Sequence, residues 1–373
     1  MRFADTGKGS FFGDYVYDQV VPAHHFFRQL ERVVDWAAFT ERLIVLYNGG
    51  GEYGRAPYDP AVMLKMLLVA YLYNLSERQV ESYVNENLPA KWFVGLAVDR
   101  SAPDHSSLTE FKGRLVAKGS LEALNGLLEE IVRTALGRGI KFGSIQVVDS
   151  VHAEAAVNTV KEEARKKRGK GDRDPDARWG TKHSRKVRDE EGRASKQREH
   201  FHGYKAHVSM NAESGIITSV LATAGNVYDG HELPGLVEND LSQGVPLGTV
   251  SADRGYDDGE NHYFLKSKGL HSAIRLGDYR TAEGNRHCEV WRRLAATPEY
   301  RAGRVERYKI ERKFGEAKQS HGLGRCRYLG LVGFTLQAVM TAIVVNLKRL
   351  VKLLTGVGFK TPSSARSYSN CTS

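Results

Sequence analysis

The pattern of apolar and polar residues divides the chain into a helical first part and a mixed second part. In residues 22–135 the apolar positions recur at helical spacing, and Pro60 stands at the start of a strongly apolar helix. Ser76 and Ser107 each begin a capping-box pattern, and residues 119–138 form an amphipathic helix that ends at a glycine. Short helices joined by capped turns are typical of a helix-turn-helix unit that binds DNA, and equally of any small helical bundle.

From Lys141 onward, short apolar runs typical of buried strands replace the helical pattern. The first runs from Ile145 to Val148. Two more, at residues 205–211 and 215–225, are joined by a turn at 213–215, which predicts a hairpin. The other predicted elements are strands at residues 248–253 and 270–276 and helices near 299–320 and 334–354. Strands followed by helices indicate an α/β or α+β domain.

The last predicted helix is the most apolar stretch of the chain. It contains Gln337, Asn346 and Lys348, which make it too polar for a membrane span and predict a half-buried helix. The N-terminal sequence lacks the apolar core of a signal peptide. We therefore expect no membrane among the partners.

Residues 161–200 interrupt the second part with 15 Lys or Arg against 9 Asp or Glu and almost no apolar residues. Such a segment cannot bury enough surface to fold alone. It is predicted to be either a solvated loop or an arm that follows DNA phosphates, and Trp179 within it could stack on a base. The Ser- and Thr-rich residues after Gly358 are expected to be disordered.

The composition favours a basic, soluble protein. The 373 residues carry a net charge of +10, which favours polyanionic partners but does not separate DNA from RNA or an acidic membrane, and also serves simple solubility. The three cysteines are far apart, which argues against zinc ribbons and disulfide frameworks. Reduced thiols in a cytosol are the plain expectation.

Two aspartates each follow a predicted strand directly. Asp149 follows Ile145 to Val148, and Asp253 follows residues 249–252. An acid at the carboxyl end of a strand is held at the sheet edge, where active sites of α/β proteins form. Each aspartate alone is equally explained as a helix cap.

A third acid is selected by helical geometry. If residues 304–318 form a helix at about 100° per residue, then Arg304, Arg307, Glu311 and Lys318 share one stripe beside the apolar edge. Glu311 is then the acid next to the core. The same spacing also fits a surface pair between Arg307 and Glu311 at i,i+4.

These residues suit phosphodiester cleavage. Two Mg²⁺ ions roughly 4 Å apart can activate the attacking oxygen and stabilise the leaving one. Asp149, Asp253 and Glu311 would supply the hard oxygen ligands that Mg²⁺ prefers, and three close acids would repel one another without a cation. Arg307 and Lys318 could hold flanking phosphates.

Several motifs together resemble the DDE transposases of bacterial insertion sequences. Arg307-x3-Glu311-x6-Lys318 resembles the last part of the family's Tyr-x2-Arg-x3-Glu-x6-Lys signature, although Arg304 stands where the tyrosine would be. The other matching stretches are Val148-Asp149-Ser150, Ala252-Asp253-Arg-Gly-Tyr256, Gly203-Tyr-Lys-Ala-His-Val208, Thr223-Ala-Gly-Asn-Val-Tyr-Asp229, Pro103-Asp-His-Ser-Ser-Leu-Thr-Glu-Phe111 and the run that begins at Gly322.

The resemblance implies a ribonuclease-H-like α/β fold, with a mixed sheet flanked by helices, preceded by a separate all-α domain. It places an N-terminal, DNA-binding domain at residues 1–138, a catalytic domain at 139–355 with a charged insertion at 158–201, and a tail at 356–373. Asp149, Asp253 and Glu311 would be catalytic and bind Mg²⁺, for which Mn²⁺ could substitute. Arg304, Arg307 and Lys318 would bind DNA.

The resemblance also implies a transposase that cuts at its terminal inverted repeats and transfers the freed 3′-hydroxyl to target DNA, as a homo-oligomer on double-stranded DNA in the bacterial cytoplasm, associated with the nucleoid. Two alternatives stay open at this point: an inactive, transposase-derived DNA-binding protein, and a metal-dependent nuclease that cuts without joining.

Overall fold

The computed structural model describes residues 3–7, 11–47, 56–117, 121–188 and 194–360. The chain forms two compact units, residues 1–140 with 339–373 and residues 141–338. The sequence had assigned residues 339–355 to the second domain, whereas their contacts group them with the first unit. The predicted disordered tail lies outside the described residues from residue 361 onward.

The first unit is helical, as the pattern predicted. Its helices are α1 (Phe11–Val20), α2 (Phe26–Val33), α3 (Trp36–Ile44), α4 (Pro60–Leu72), α5 (Glu77–Glu86), α6 (Leu88–Val94), α7 (His105–Val116) and α8 (Leu121–Gly137). In its core, the rings of Phe27 and Phe93 stack with centroids 4.6 Å apart. Buried Lys65 donates to the carboxylate of Glu31 at 2.7 Å, so this internal charge is paired.

One of the two predicted capping boxes is confirmed. Ser76 caps α5, and Gln79 returns the second hydrogen bond of the box. The box predicted at Ser107 is wrong, because α7 begins earlier, at His105. Its cap is Asp104, whose carboxylate accepts the Ser107 backbone N–H at 2.7 Å.

The second unit contains a six-stranded mixed sheet. Its strands are β1 (Ile145–Glu154), β2 (Arg178–Arg188), β3 (Ala194–Asn211), β4 (Ile217–Ala224), β5 (Thr249–Ala252) and β6 (His271–Ile274). Central β1 pairs antiparallel with β3 and parallel with β5, which pairs parallel with β6. The far side of β3 pairs with β4 along residues 204–210 and with β2 along residues 194–203.

The remaining helices are α9 (Thr159–Lys167), α10 (Leu233–Ser242), α11 (Gly259–Ser267), α12 (Asp278–Thr281), α13 (Cys288–Ala296), α14 (Pro298–Glu306), α15 (Tyr308–His321) and α16 (Gly330–Thr355). Of these, α10, α11, α14 and α15 contact the strands of the sheet, and most of α16 belongs to the first unit. Apolar residues of α10 and α11 pack against Val148, Val250 and Ala252 of the sheet in one core cluster. The expected mixed sheet flanked by helices is confirmed.

Three sequence predictions need correction. The charged segment is not a loop, because it contains helix α9, strand β2 and the first part of β3, whereas its alternative role as an arm that follows DNA phosphates stays a prediction. The single helix predicted near 299–320 is divided at Arg307 into α14 and α15. Asp149 lies in the middle of β1 rather than beyond its end, because pairing with β3 extends the strand to Glu154.

Helix α16 is long and apolar enough to cross a membrane by length and composition alone. However, 72% of its most apolar window is buried within the protein, as in the core helix of a folded domain. Near its start, Phe334 stacks on Tyr204 of β3 with ring centroids 5.2 Å apart. The helix is thus more buried than the half-buried helix that the sequence predicted.

Candidate active site

Asp149 and Asp253 lie side by side on adjacent strands. The parallel pairing of β1 with β5 ends at Val148 and Ala252, so Asp149, within β1, and Asp253, directly after β5, are the next residues beyond the last pair. Neighbouring strands are about 4.8 Å apart, which places the two acids at one point of the sheet. After Ala252 the chain turns away, and the Asp253 carboxylate accepts the Gly255 backbone N–H at 2.7 Å.

The Asp149 carboxyl is destabilised in its charged form. Burial raises the pKa of Asp149 to about 7, and the nearby charge of Asp253 adds to this effect. The Ser150 backbone N–H and the Arg307 guanidinium act in the opposite direction. A cation placed beside Asp149 would therefore stabilise the charged form of its carboxyl.

Arg307 connects Asp149 with the third predicted acid. One guanidinium nitrogen donates to Asp149 Oδ2 at 3.1 Å, and the other donates to Glu311 Oε1 at 2.6 Å. The side chain of Asp149 is 16% exposed and that of Glu311 is 56% exposed, so the site opens to solvent on the helix side. The i,i+4 pair considered from the sequence is therefore present, and it joins the two acids through one cation.

The other two predicted cations have different surroundings. Arg304 donates to the carbonyl oxygen of Ala252 at 3.0 Å and so fixes the residue before Asp253. Lys318 lies 3.4 Å from His152 Nε2, and burial lowers its pKa, with Lys182 as a further cause. Their predicted contact with DNA remains a prediction.

The sequence analysis assigned no role at the site to Asp229 or to Tyr256. Asp229 accepts hydrogen bonds from Ser150 Oγ at 2.8 Å and from Lys205 Nζ at 2.7 Å. A Cβ placed on Gly255 would lie 2.9 Å from Asp253 Oδ1 and 3.9 Å from Asp229 Oδ2, so these carboxylates are neighbours. A signal was present in the sequence, because Asp229 and Tyr256 each end a motif that carries the family resemblance.

Tyr256 lies beneath the acids and is completely buried. Burial raises the pKa of its hydroxyl well above the usual value, and the charges of Asp229, Asp149 and Asp253 contribute further. The neutral aromatic ring of Tyr256 is part of the core cluster under the sheet. Tyr256 therefore connects this core cluster with the three acids whose charges act on its hydroxyl.

The carboxylate oxygens at this site are the ligands that a hard divalent cation prefers. Asp149, Asp253 and Glu311 offer carboxylate oxygens, and the raised pKa of Asp149 marks an unmet need for positive charge. Among the described residues, no group of three His, Cys, Asp or Glu side chains has converged to hold a single metal ion. Arg307 supplies the positive charge between Asp149 and Glu311 instead.

The strand order β4-β3-β1-β5-β6, with Asp149 on the central strand β1 and Asp253 directly after β5, is that of a ribonuclease-H-like protein. The family model described as "Transposase DDE domain" matches residues 141–347, which is more than half of the chain, so the protein belongs to the DDE transposase family. A second family model, "Transposase domain (DUF772)", matches residues 15–114.

Among solved structures, the chain is similar to one titled "Mos1 transposase paired-end complex with left transposon end". That match has 12% identity and a TM-score of 0.20, and it covers 74% of this chain and 82% of the other. The family assignment rests on the two family models alone.

Proposed function

We propose that this transposase cleaves phosphodiester bonds at the ends of its insertion sequence and transfers the freed 3′-hydroxyl to target DNA. Asp149, Asp253 and Glu311 would be its catalytic acids. The observation that carries the proposal is the placement of Asp149 and Asp253 as neighbours on adjacent strands, with Glu311 tied to Asp149 through Arg307.

Asp149, Asp253 and Glu311 would also hold Mg²⁺ or, in its place, Mn²⁺. When bound, the ions would supply a Lewis acid for the phosphate and an activated oxygen nucleophile. The support lies in the oxygen donors and in the raised pKa of Asp149, which a divalent cation would lower.

The remaining residues would orient the site and the DNA. Lys205 keeps the Asp229 carboxylate in place, and Arg304 holds the backbone just before Asp253. The planar fork of Arg307 suits a phosphate as well as it suits carboxylates, and Lys318 offers a further point charge. These two cations would position the phosphates that flank the cut.

The helical unit is proposed to bind the terminal inverted repeats, and the DNA-bound protein is proposed to be a homo-oligomer associated with the bacterial nucleoid. The helix-turn-helix-like sequence pattern and the basic net charge support the DNA contact.

A second candidate is a transposase-derived DNA-binding protein without catalysis. The contact of Arg307 with both Asp149 and Glu311 favours it, because a guanidinium there neutralises the acids without a metal ion. This candidate predicts specific DNA binding that is indifferent to Mg²⁺.

The test incubates the protein with a labelled transposon end and a target plasmid in Mg²⁺. Joined product supports the proposal, cut product alone indicates a nuclease, and a shifted band alone indicates the binding protein. The variants Asp149→Asn, Asp253→Asn and Glu311→Gln keep the shape of each side chain. We expect each to lower cleavage by about a thousandfold or more, because acids that act as a unit fail together.

End binding by these variants, measured in EDTA, should stay close to that of the wild type. Glu260→Gln is the matched control, because Glu260 is an exposed carboxylate on α11 of the same unit. Full cleavage by the Asp253→Asn protein would contradict the catalytic assignment.

A further inference from the structure

The charged insertion forms a two-stranded β-ribbon, defined here as β2 (Arg178–Arg188) with residues 194–202 of β3. The two strands pair with each other in antiparallel register from Arg178 opposite Gly203 to Arg188 opposite Ala194. Strands β1 and β4 join β3 only from residues 203 and 204 onward, so within the described residues no third strand pairs with the ribbon. The ribbon therefore extends past the body of the sheet.

The base of the β-ribbon is built for close packing of backbone. A Cβ on Gly203 would lie 2.1 Å from the Ala153 carbonyl oxygen, and one on Gly180 would lie 2.2 Å from the Gly225 carbonyl oxygen. Backbone that approaches this closely accepts only glycine. The ribbon thus leaves the sheet from a closely packed junction rather than from a loose loop.

The β-ribbon combines cations with an exposed aromatic ring. Strand β2 contains five Lys or Arg and no acid among its eleven residues. The side chain of Trp179 is 57% exposed, and it packs beside His202 with ring centroids 5.3 Å apart. Arg198 and His200 on the facing strand are exposed as well. A large exposed indole among cations is unfavourable in water and suits a surface that covers nucleic acid.

Cations connect the β-ribbon with the candidate active site. Lys182, at the base of the ribbon, bonds the carboxylates of Glu154 and Glu199. The charges of Lys182 and Lys318 both act on His152, whose ring lies 5.0 Å from that of Phe201 in the ribbon. Lys318 is on the same helix as Glu311. Contacts between side chains therefore lead from the helix that carries Glu311, through Lys318 and His152, to the base of the ribbon.

We propose that the β-ribbon binds duplex DNA beside the cut site, with Arg198 on a phosphate and Trp179 against a base or sugar. The proposal rests on the proposed function, because it assigns part of the DNA contact of the same enzyme. The major groove of B-DNA is wide enough to admit a two-stranded β-ribbon, and the cations of this ribbon match the phosphate charge.

The test uses the full-length protein and a labelled duplex that carries a transposon end and its flanking DNA. Binding is measured by fluorescence anisotropy in EDTA over a series of salt concentrations, so that no cleavage occurs. We expect Trp179→Ala to weaken binding by about 5- to 100-fold. Arg198→Ala should reduce the slope of log K against log salt by about 1.

Two exposed residues of α11 provide matched controls. Tyr263→Ala removes an exposed aromatic ring and Lys266→Ala removes an exposed cation from the same unit, and both should bind DNA as the wild type does. Trp179 is the most exposed of the four tryptophans. In the wild type, bound DNA should therefore protect tryptophan fluorescence from iodide quenching, and Trp179→Phe should remove most of that protection.

Wild-type affinity and salt slope in both ribbon variants would overturn the proposal. Unchanged DNA binding with an altered sedimentation coefficient would also overturn it and would identify the ribbon as a contact between copies of the chain. If Trp179→Ala and Arg198→Ala cleave normally and bind DNA as the wild type does, the proposed DNA contact of the ribbon is wrong and the proposed function stands. If the ribbon variants weaken DNA binding but the wild-type protein never cleaves DNA, the proposed catalytic function is wrong and the ribbon contact stands.

Discussion

At the residue scale, Arg307 holds two of the three predicted acids together. Its guanidinium bonds Asp149 at 3.1 Å and Glu311 at 2.6 Å, so two carboxylates share one fixed cation. Within the part of the chain that the structure describes, the hydrogen bond recorded for the Asp253 carboxylate comes from the Gly255 backbone N–H. The charge of Asp253 consequently acts on Asp149 and contributes to its raised pKa.

A second unusual carboxyl, Asp240 on α10, allows a pH prediction away from the acids. Burial raises the pKa of fully buried Asp240 to about 7, although Ser209 Oγ donates to it at 2.5 Å. The folded protein then holds this proton more tightly than the unfolded chain, so stability should fall as pH rises from about 4 to 7. Asp240→Asn stays neutral and should reduce that fall by up to about 1.4 kcal/mol per pH unit.

Urea unfolding at several pH values measures this difference. Glu238→Gln, an exposed carboxylate on the same helix, is the control and should follow the wild-type pH dependence. If wild type and Asp240→Asn lose stability equally between pH 5 and 7, then Asp240 is already ionised in the folded protein and the prediction is wrong.

At the element scale, local patterns in the sequence predicted which segments form strands and helices better than they predicted where those elements begin and end. The apolar run before Asp149 indicated a strand, but its continuation to Glu154 depends on pairing with β3, about sixty residues later in the chain. The sequence of the β-ribbon lacks an apolar pattern, so only the pairing of its two strands defines it. Likewise, the contact of Arg307 with Asp149 joins residues 158 positions apart.

Helix α14 depends on a glycine for its contact with the sheet. A Cβ on Gly303 would lie 2.4 Å from the Cβ of Ala273 on β6 and 3.3 Å from Thr249 on β5. Gly303→Ala should therefore push α14 outward, with a loss of about 1–3 kcal/mol in unfolding free energy. Cleavage should fall as well, because Arg304 and Arg307 follow directly on this helix.

Gly315 on α15 is the matched control for this prediction. A Cβ there meets no atom within 4 Å, so Gly315→Ala should leave stability unchanged or raise it by about 0.5–1 kcal/mol through helix propensity. Thermal and urea unfolding compare the two variants. A Gly303→Ala protein as stable as Gly315→Ala would show that α14 does not pack tightly on the sheet.

At the scale of the whole molecule, the sequence motifs indicated the family, whereas the electrostatic state of the site needed the fold. Asp149, Asp229, Asp253 and Glu311 are dispersed over more than 160 residues of sequence, and the sheet and α15 bring them to one region. Local spacing indicated the pair between Arg307 and Glu311, but no local pattern could show that Arg307 also bonds Asp149 or that Lys205 bonds Asp229. Because like charges meet at this site, we predict that binding of a divalent cation there changes the stability of the protein.

Mg²⁺ should therefore raise the melting temperature of the DNA-free protein. At ten times its dissociation constant, an ion that binds only the folded state adds about 1.4 kcal/mol, which corresponds to a shift of about 2–4 °C. The shift should be larger at pH 8 than at pH 6, because the pKa of Asp149 is about 7 and the ion competes with its proton.

Asp253→Asn should abolish this shift and also raise the melting temperature in EDTA, because the charge that opposes ionisation of Asp149 is removed. Glu260→Gln should keep the wild-type response, since its carboxylate lies on the exposed start of α11. Calorimetry with and without Mg²⁺ resolves these effects without any DNA substrate. An equal shift in the wild type, Asp253→Asn and Glu260→Gln would mean that the ion binds elsewhere on the surface. Arg307 would then be the cation that neutralises the carboxylates of the site.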